Sequence, residues 1–136
     1  MANYTISDVE GIGPAYAEKL KAAGVRSVNA LLEKGCTPKG RKTLAEKSGI
    51  DETLILKWVN MADLYRVRGI GSEYSELLER AGVDTVKELK TRRSDNLHAA
   101  LKRVNSEKKL VRLVPGLKTV EKWVKQAASL PPKVTY

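Results

Sequence analysis

The sequence predicts an all-α fold made of two tandem units of about four helices each, related by internal duplication. Three observations predict it. One block near the start recurs at a fixed offset, apolar residues fall at the helical period, and the apolar palette is Leu, Val, Ile and Ala. Phe is absent and aromatics are only 5% of 136 residues, a composition that favours helices over a β-sandwich.

The recurrence organises everything else, because a missed repeat misassigns a whole fold. Val9-Glu10-Gly11-Ile12-Gly13-Pro14-Ala15-Tyr16 returns as Val67-Arg68-Gly69-Ile70-Gly71-Ser72-Glu73-Tyr74, and the match continues through Glu18/Glu76, Leu20/Leu78, Ala23/Ala81, Gly24/Gly82, Val25/Val83, Val28/Val86 and Leu31/Leu89. The offset is 58 throughout, and the 23-residue block holds 12 identities. Lys57-Trp58-Val59 and Ala62 then match Lys122-Trp123-Val124 and Ala127 at an offset of 65, so the second copy gains seven residues within the basic stretch from Lys90 to Arg112. The expected organisation is a first repeat over residues 1–65, a second over 66–130, and an extended tail over 131–136.

Each element has its own local signal. Tyr16, Leu20 and Ala23, like Tyr74, Leu78 and Ala81, stand at i, i+4 and i+7 of a first helix, which Gly24 or Gly82 terminates. Ser27 caps the next helix in one copy; in the other, Thr85-Val86-Lys87-Glu88 has the spacing of a capping box. Thr37-Pro38 reads as a cap followed by proline at the first helical position, opening a third helix that Gly49 stops. Asp51 caps a fourth, which runs to about Leu64 with Leu54, Ile55, Trp58, Val59, Met61 and Ala62 on a broad apolar face. Leu97, Leu101 and Val104 mark the third helix of the second copy. Val120, Trp123, Val124 and Ala127 mark the fourth, which ends before Pro131-Pro132.

Gly11-Ile12-Gly13 and Gly69-Ile70-Gly71, each before an amphipathic helix, resemble the turn of the helix-hairpin-helix superfamily. Ala17 and Ser75 fill its inward small position, and Gly24-Val25 and Gly82-Val83 supply its second glycine-apolar pair. Over nearly the full length the arrangement also resembles an uncharacterised bacterial family of tandem helix-hairpin-helix proteins, a domain of unknown function. The superfamily resemblance implies that the amides of Gly11, Ile12, Gly13 and Ala15, and of Gly69, Ile70, Gly71 and Glu73, contact phosphates of duplex DNA without reading its sequence. Free amides at a helix start favour an anion for physical reasons of their own. Ala15 and Glu73 stand where DNA-binding members usually carry Lys or Arg, and Glu73 would repel a phosphate. The alternative is that the glycines make a tight turn between packed helices and the hairpins hold another protein.

Charge points to a polyanion. The chain carries a formal +9 at pH 7 with a sequence pI near 9.7, and residues 67–136 supply seven of those nine charges. Lys87, Lys90, Arg92, Arg93, Lys102, Arg103, Lys108, Lys109 and Arg112, interrupted by Glu88, Asp95 and Glu107, are the candidate phosphate-tracking surface; the competing reading is a solvated helix face. Lys39, Arg41 and Lys42 form a weaker patch in the first half. Tyr16 and Tyr74 have the spacing of half-buried core residues, and Trp58 and Trp123 that of core anchors.

Catalysis finds no foothold in the sequence. Cys36 and His98 are each single, so a Cys/His metal cluster or a disulfide within the chain has no second partner. Asp84 aligns with Arg26 and reads as a helix-start residue. No Gly-Lys-Ser/Thr phosphate loop or dinucleotide fingerprint occurs. The expectation is a non-catalytic protein without metal or cofactor, in a reducing cytoplasm and off the membrane, bound to duplex DNA or to an acidic protein partner.

Overall fold

The computed structural model describes residues 5–136; residues 1–4 of the expected first repeat lie outside the described residues. Among the described residues the chain forms eight α-helices, one short 3-10 turn and no strand. It divides into two compact units, one running to Asp63 and including Lys133–Tyr136, the other spanning Leu64–Pro132.

The first unit opens with the 3-10 turn Ile6–Asp8, where the Asp8 carboxylate accepts from both the amide and the hydroxyl of Thr5 at 3.0 Å. Helix α1 (Pro14–Ala22) ends at Gly24, whose φ of +91° lets Gly24 N–H reach Lys21 O and Val25 N–H reach Leu20 O. Two carbonyls left over at the helix end are thereby satisfied. Ser27 Oγ accepts from Ala30 N–H to start α2 (Val28–Gly35). Thr37 Oγ1 accepts from Gly40 N–H to start α3 (Pro38–Ser48), and left-handed Gly49 stops it. Asp51 accepts from Thr53 N–H ahead of α4 (Glu52–Leu64).

Helices α2 and α3 pack closely enough that a β-carbon on Gly40 would stand 2.0 Å from the Lys34 carbonyl oxygen, a contact only glycine permits. Ile6, Leu20, Leu31, Ile55 and Trp58 are fully enclosed.

Residues 133–136 lie along this unit. Val134 is buried, Thr135 N–H donates to Cys36 O at 2.8 Å, and Tyr136 OH donates to Asn60 Oδ1 at 3.1 Å. Lys133 also pairs with Glu33. Arg41 completes the attachment and corrects its reading as part of a surface patch. It is only 5% exposed, and its guanidinium donates to Gly35 O at 3.0 Å and Thr135 O at 2.7 Å.

In the second unit α5 (Ser72–Arg80) ends on Gly82 with the same two carbonyl contacts as α1, now from Gly82 to Glu79 and from Val83 to Leu78. Thr85 caps α6 (Val86–Leu89) through Glu88 N–H. The capping box is only half made, because the Glu88 carboxylate turns to Arg92 at 2.9 Å. Helix α7 (Ser94–Lys108) packs on α5 and on α8 (Leu117–Ser129). Around Ile70, Leu78, Leu89, Leu101, Val120 and Trp123 a continuous apolar core forms.

Helix α7 and the loop after it are longer than α3 and its loop, while α6 is shorter than α2. No helix among the described residues is long and apolar enough to cross a membrane.

Candidate functional site

Each glycine hairpin is assembled from local sequence. Gly11 and Gly69 have φ of +91° and +94°, values that L side chains rarely adopt. The turn they allow carries Ile12 N–H to Val9 O, and Ile70 N–H to Val67 O, each at 3.1 Å. Those two amides are therefore occupied, which corrects the expectation that Ile12 and Ile70 offer theirs to a ligand. Their side chains point inward and are buried.

Gly13 and Gly71 then sit in extended conformation as N-caps with no capping side chain. The first-turn amides that follow lack an intrahelical acceptor by geometry. In the first hairpin they belong to Ala15 and Tyr16, since Pro14 has no N–H; in the second, to Ser72, Glu73 and Tyr74. Nothing lies within 4 Å of a β-carbon placed on Gly13.

Behind each hairpin stands a tryptophan. Trp58 Nε1 lies 3.3 Å from the β-carbon position of Gly11, and Trp123 Nε1 lies 3.3 Å from that of Gly69. Tyr16 meets Trp58 edge-on with centroids 5.1 Å apart, and Tyr74 meets Trp123 at 5.3 Å. Both tyrosines are half-buried, held as ring partners.

A basic side chain ten residues beyond each closing glycine completes the unit: Lys34 Nζ donates to Gly24 O at 2.9 Å and Arg92 Nη2 to Gly82 O at 3.0 Å. Sequence reasoning missed this role for Lys34 and placed Arg92 among the phosphate ligands. The signal was present, since Lys34 and Arg92 also differ by the repeat offset.

The two hairpins differ electrically. No acid stands in the first turn of α1, whereas Glu73, exposed, stands in the first turn of α5. A helix start carries partial positive charge; exposed Glu10 precedes Gly11 in the first glycine turn, and exposed Arg68 precedes Gly69 in the second, so each turn has one acid nearby and the second has a cation as well.

The basic residues of the second unit separate by engagement. Lys87, Lys90, Lys102, Arg103, Lys108, Lys109 and Arg112 are exposed. Lys102 and Arg103 project from α7 while Leu97 and Leu101 face the core. Arg92 is committed to Gly82 O and Glu88, whereas Arg93 is exposed and pairs with exposed Asp95 at 3.1 Å. The amide of Asn96, then the Arg93 guanidinium, holds the Asp95 carboxyl below the usual aspartate range. The second hairpin and the loop after α7 meet directly, through Tyr74 OH donating to Leu113 O at 3.2 Å. In the first unit Lys34, Lys39 and Lys47 line an open groove of about 360 Å³ over Leu44, and no carboxylate lines it.

Cys36 lies in the first unit and His98 in the second. Among the described residues no group of three or more His, Cys, Asp or Glu side chains is placed to hold a metal ion.

The model of a domain of unknown function, DUF4332, matches residues 10–130. The chain belongs to the DUF4332 family. The matched span of this DUF4332 chain includes both hairpins and the whole basic cluster. No curated protein and no solved structure matches the chain.

Proposed function

We propose that this DUF4332 protein is a non-catalytic, sequence-independent binder of duplex DNA, built from two helix-hairpin-helix units that arose by duplication. The observation that carries the reading is the pair of uncapped helix starts behind glycine turns, each braced by the same Gly–Trp and Gly–cation contacts. Bare helix-start amides suit phosphate, and phosphate contacts position a protein on a duplex without reading bases. Exposed Lys87, Lys90, Lys102, Arg103, Lys108, Lys109 and Arg112 add counterion release.

Fluorescence anisotropy with two duplexes of unrelated sequence tests this. Similar affinities, falling steeply as salt is raised, are expected. Gly13→Asp separates binding from folding: aspartate is a better N-cap than glycine, so the variant keeps its stability while its carboxylate takes the phosphate position and affinity drops. No binding at low salt, or G13D binding like the wild type, would overturn the reading.

Glu73 favours a second reading, in which the hairpins hold a protein partner that presents a cation to the start of α5. A partner retained after nuclease treatment and released by Glu73→Gln would support it.

A further inference from the structure

A leucine exposed to water gains none of the hydrophobic stabilisation that a buried one gains. Leu113, in the loop between α7 and α8, is 75% exposed, and Leu117, the first residue of α8, is 40% exposed. Their neighbours behave oppositely, Val111 and Pro115 being buried.

The loop is held in place from two sides. Asn105 brackets Val111, its Nδ2 donating to Val111 O at 3.1 Å and its Oδ1 accepting from Val111 N–H at 2.9 Å. Tyr74, in the first turn of α5, donates its hydroxyl to Leu113 O at 3.2 Å. One residue, Arg112, therefore separates one anchor from the next, and the Leu113 side chain projects outward from a fixed base. From Lys108 to Val120 the chain carries Lys108, Lys109, Arg112 and Lys118 and no acid.

An apolar tip on a cationic base, tethered to a helix start that offers amides, is complementary to a duplex groove. We propose that Leu113 is a wedge that enters the minor groove of duplex DNA and partly unstacks one base step, while Arg112 and Lys109 reach the flanking phosphates. The inference rests on the duplex-binding reading above and adds to it a preference for deformable DNA. The cost of unstacking one step is recovered through contacts made by the bent duplex. Pyrimidine–purine steps such as TA and CA/TG are the least costly to open, so they are the favoured sites. An anionic lipid surface also attracts leucines among lysines, but lipid binding draws on the long apolar face of an amphipathic helix, and among the described leucines only Leu113 in the loop and Leu117 at the start of α8 are exposed.

The test uses the full chain and a duplex carrying 2-aminopurine at a central TA step, whose fluorescence rises when the base unstacks. Wild-type protein at saturation should raise the signal severalfold. Leu113→Ala, at an exposed position that leaves the core intact, should bind about tenfold more weakly and give no rise at saturation; Leu113→Phe should restore the rise. Wild-type binding without a rise, or a rise that survives in L113A, would overturn the wedge and leave the duplex-binding reading standing. No binding to any duplex at low salt would bring down both. Sedimentation with phosphatidylserine vesicles that depends on Leu113, with duplex binding indifferent to it, would overturn the wedge and assign the loop to a membrane surface.

Discussion

The indole nitrogen of Trp123 stands 3.3 Å from the point where a β-carbon on Gly69 would lie. Gly69 is therefore constrained twice, by its φ of +94° and by the ring behind it. Gly69→Ala should destabilise the protein by about 1–3 kcal/mol, from left-handed strain plus displacement of the indole. Gly11→Ala should behave alike against Trp58. A urea titration followed by tryptophan fluorescence reads both, and a midpoint equal to the wild type would contradict the constraint.

Gly40 makes the sharper case because two effects oppose each other. Alanine inside a helix gains about 1 kcal/mol over glycine. A β-carbon there meets the Lys34 carbonyl at 2.0 Å, and moving backbone is costly. Gly40→Ala should therefore lower stability by about 1–3 kcal/mol net, measured by thermal melting.

Arg41 secures residues 133–136 to the first unit. Removing its guanidinium leaves the carbonyls of Gly35 and Thr135 without their donor and strips a packed stem from the interior. Arg41→Ala should cost about 2–4 kcal/mol. Hydrogen exchange at the Thr135 amide, which bonds Cys36 O, should accelerate in R41A beyond what the global loss explains.

Lysine and arginine substitutions should fall into two classes. Lys102→Ala with Arg103→Ala removes exposed charge, so stability should hold while the slope of log K against log salt falls by about 2. Arg92→Ala breaks the contacts to Gly82 O and Glu88. It should lower the melting temperature and leave the salt slope unchanged. Equal slopes for the two variants would show that the exposed face of α7 does not meet the polyanion.

Helix starts and stops were legible because their causes are local. Ser27, Thr37 before Pro38, Gly49 and Asp51 each act within four residues, and each stands at the cap the sequence assigns it. The glycine turns were legible from glycine spacing, though not the engagement of the Ile12 and Ile70 amides, which is a property of the turn once made.

Long-range partnerships were not legible. Arg41 resembles the exposed Lys39 and Lys42 beside it until Thr135, 94 positions away, is seen to accept its hydrogen bond. Arg92 and Arg103 look alike in a basic run, and only the position of Gly82 distinguishes them. Glu88 has the spacing of a capping box, but Arg92 one turn further on outcompetes the amide it would have reached. Leu113 reads as one more apolar residue, because exposure of that kind is set by which neighbours turn inward.

Asn60 and Arg41 receive Tyr136 and Thr135 from the far end of the chain. During synthesis on a ribosome, every residue of the second unit is therefore translated before the first unit has its closing segment. Until residues 133–136 are made, Arg41 has Gly35 O as an acceptor but lacks Thr135 O.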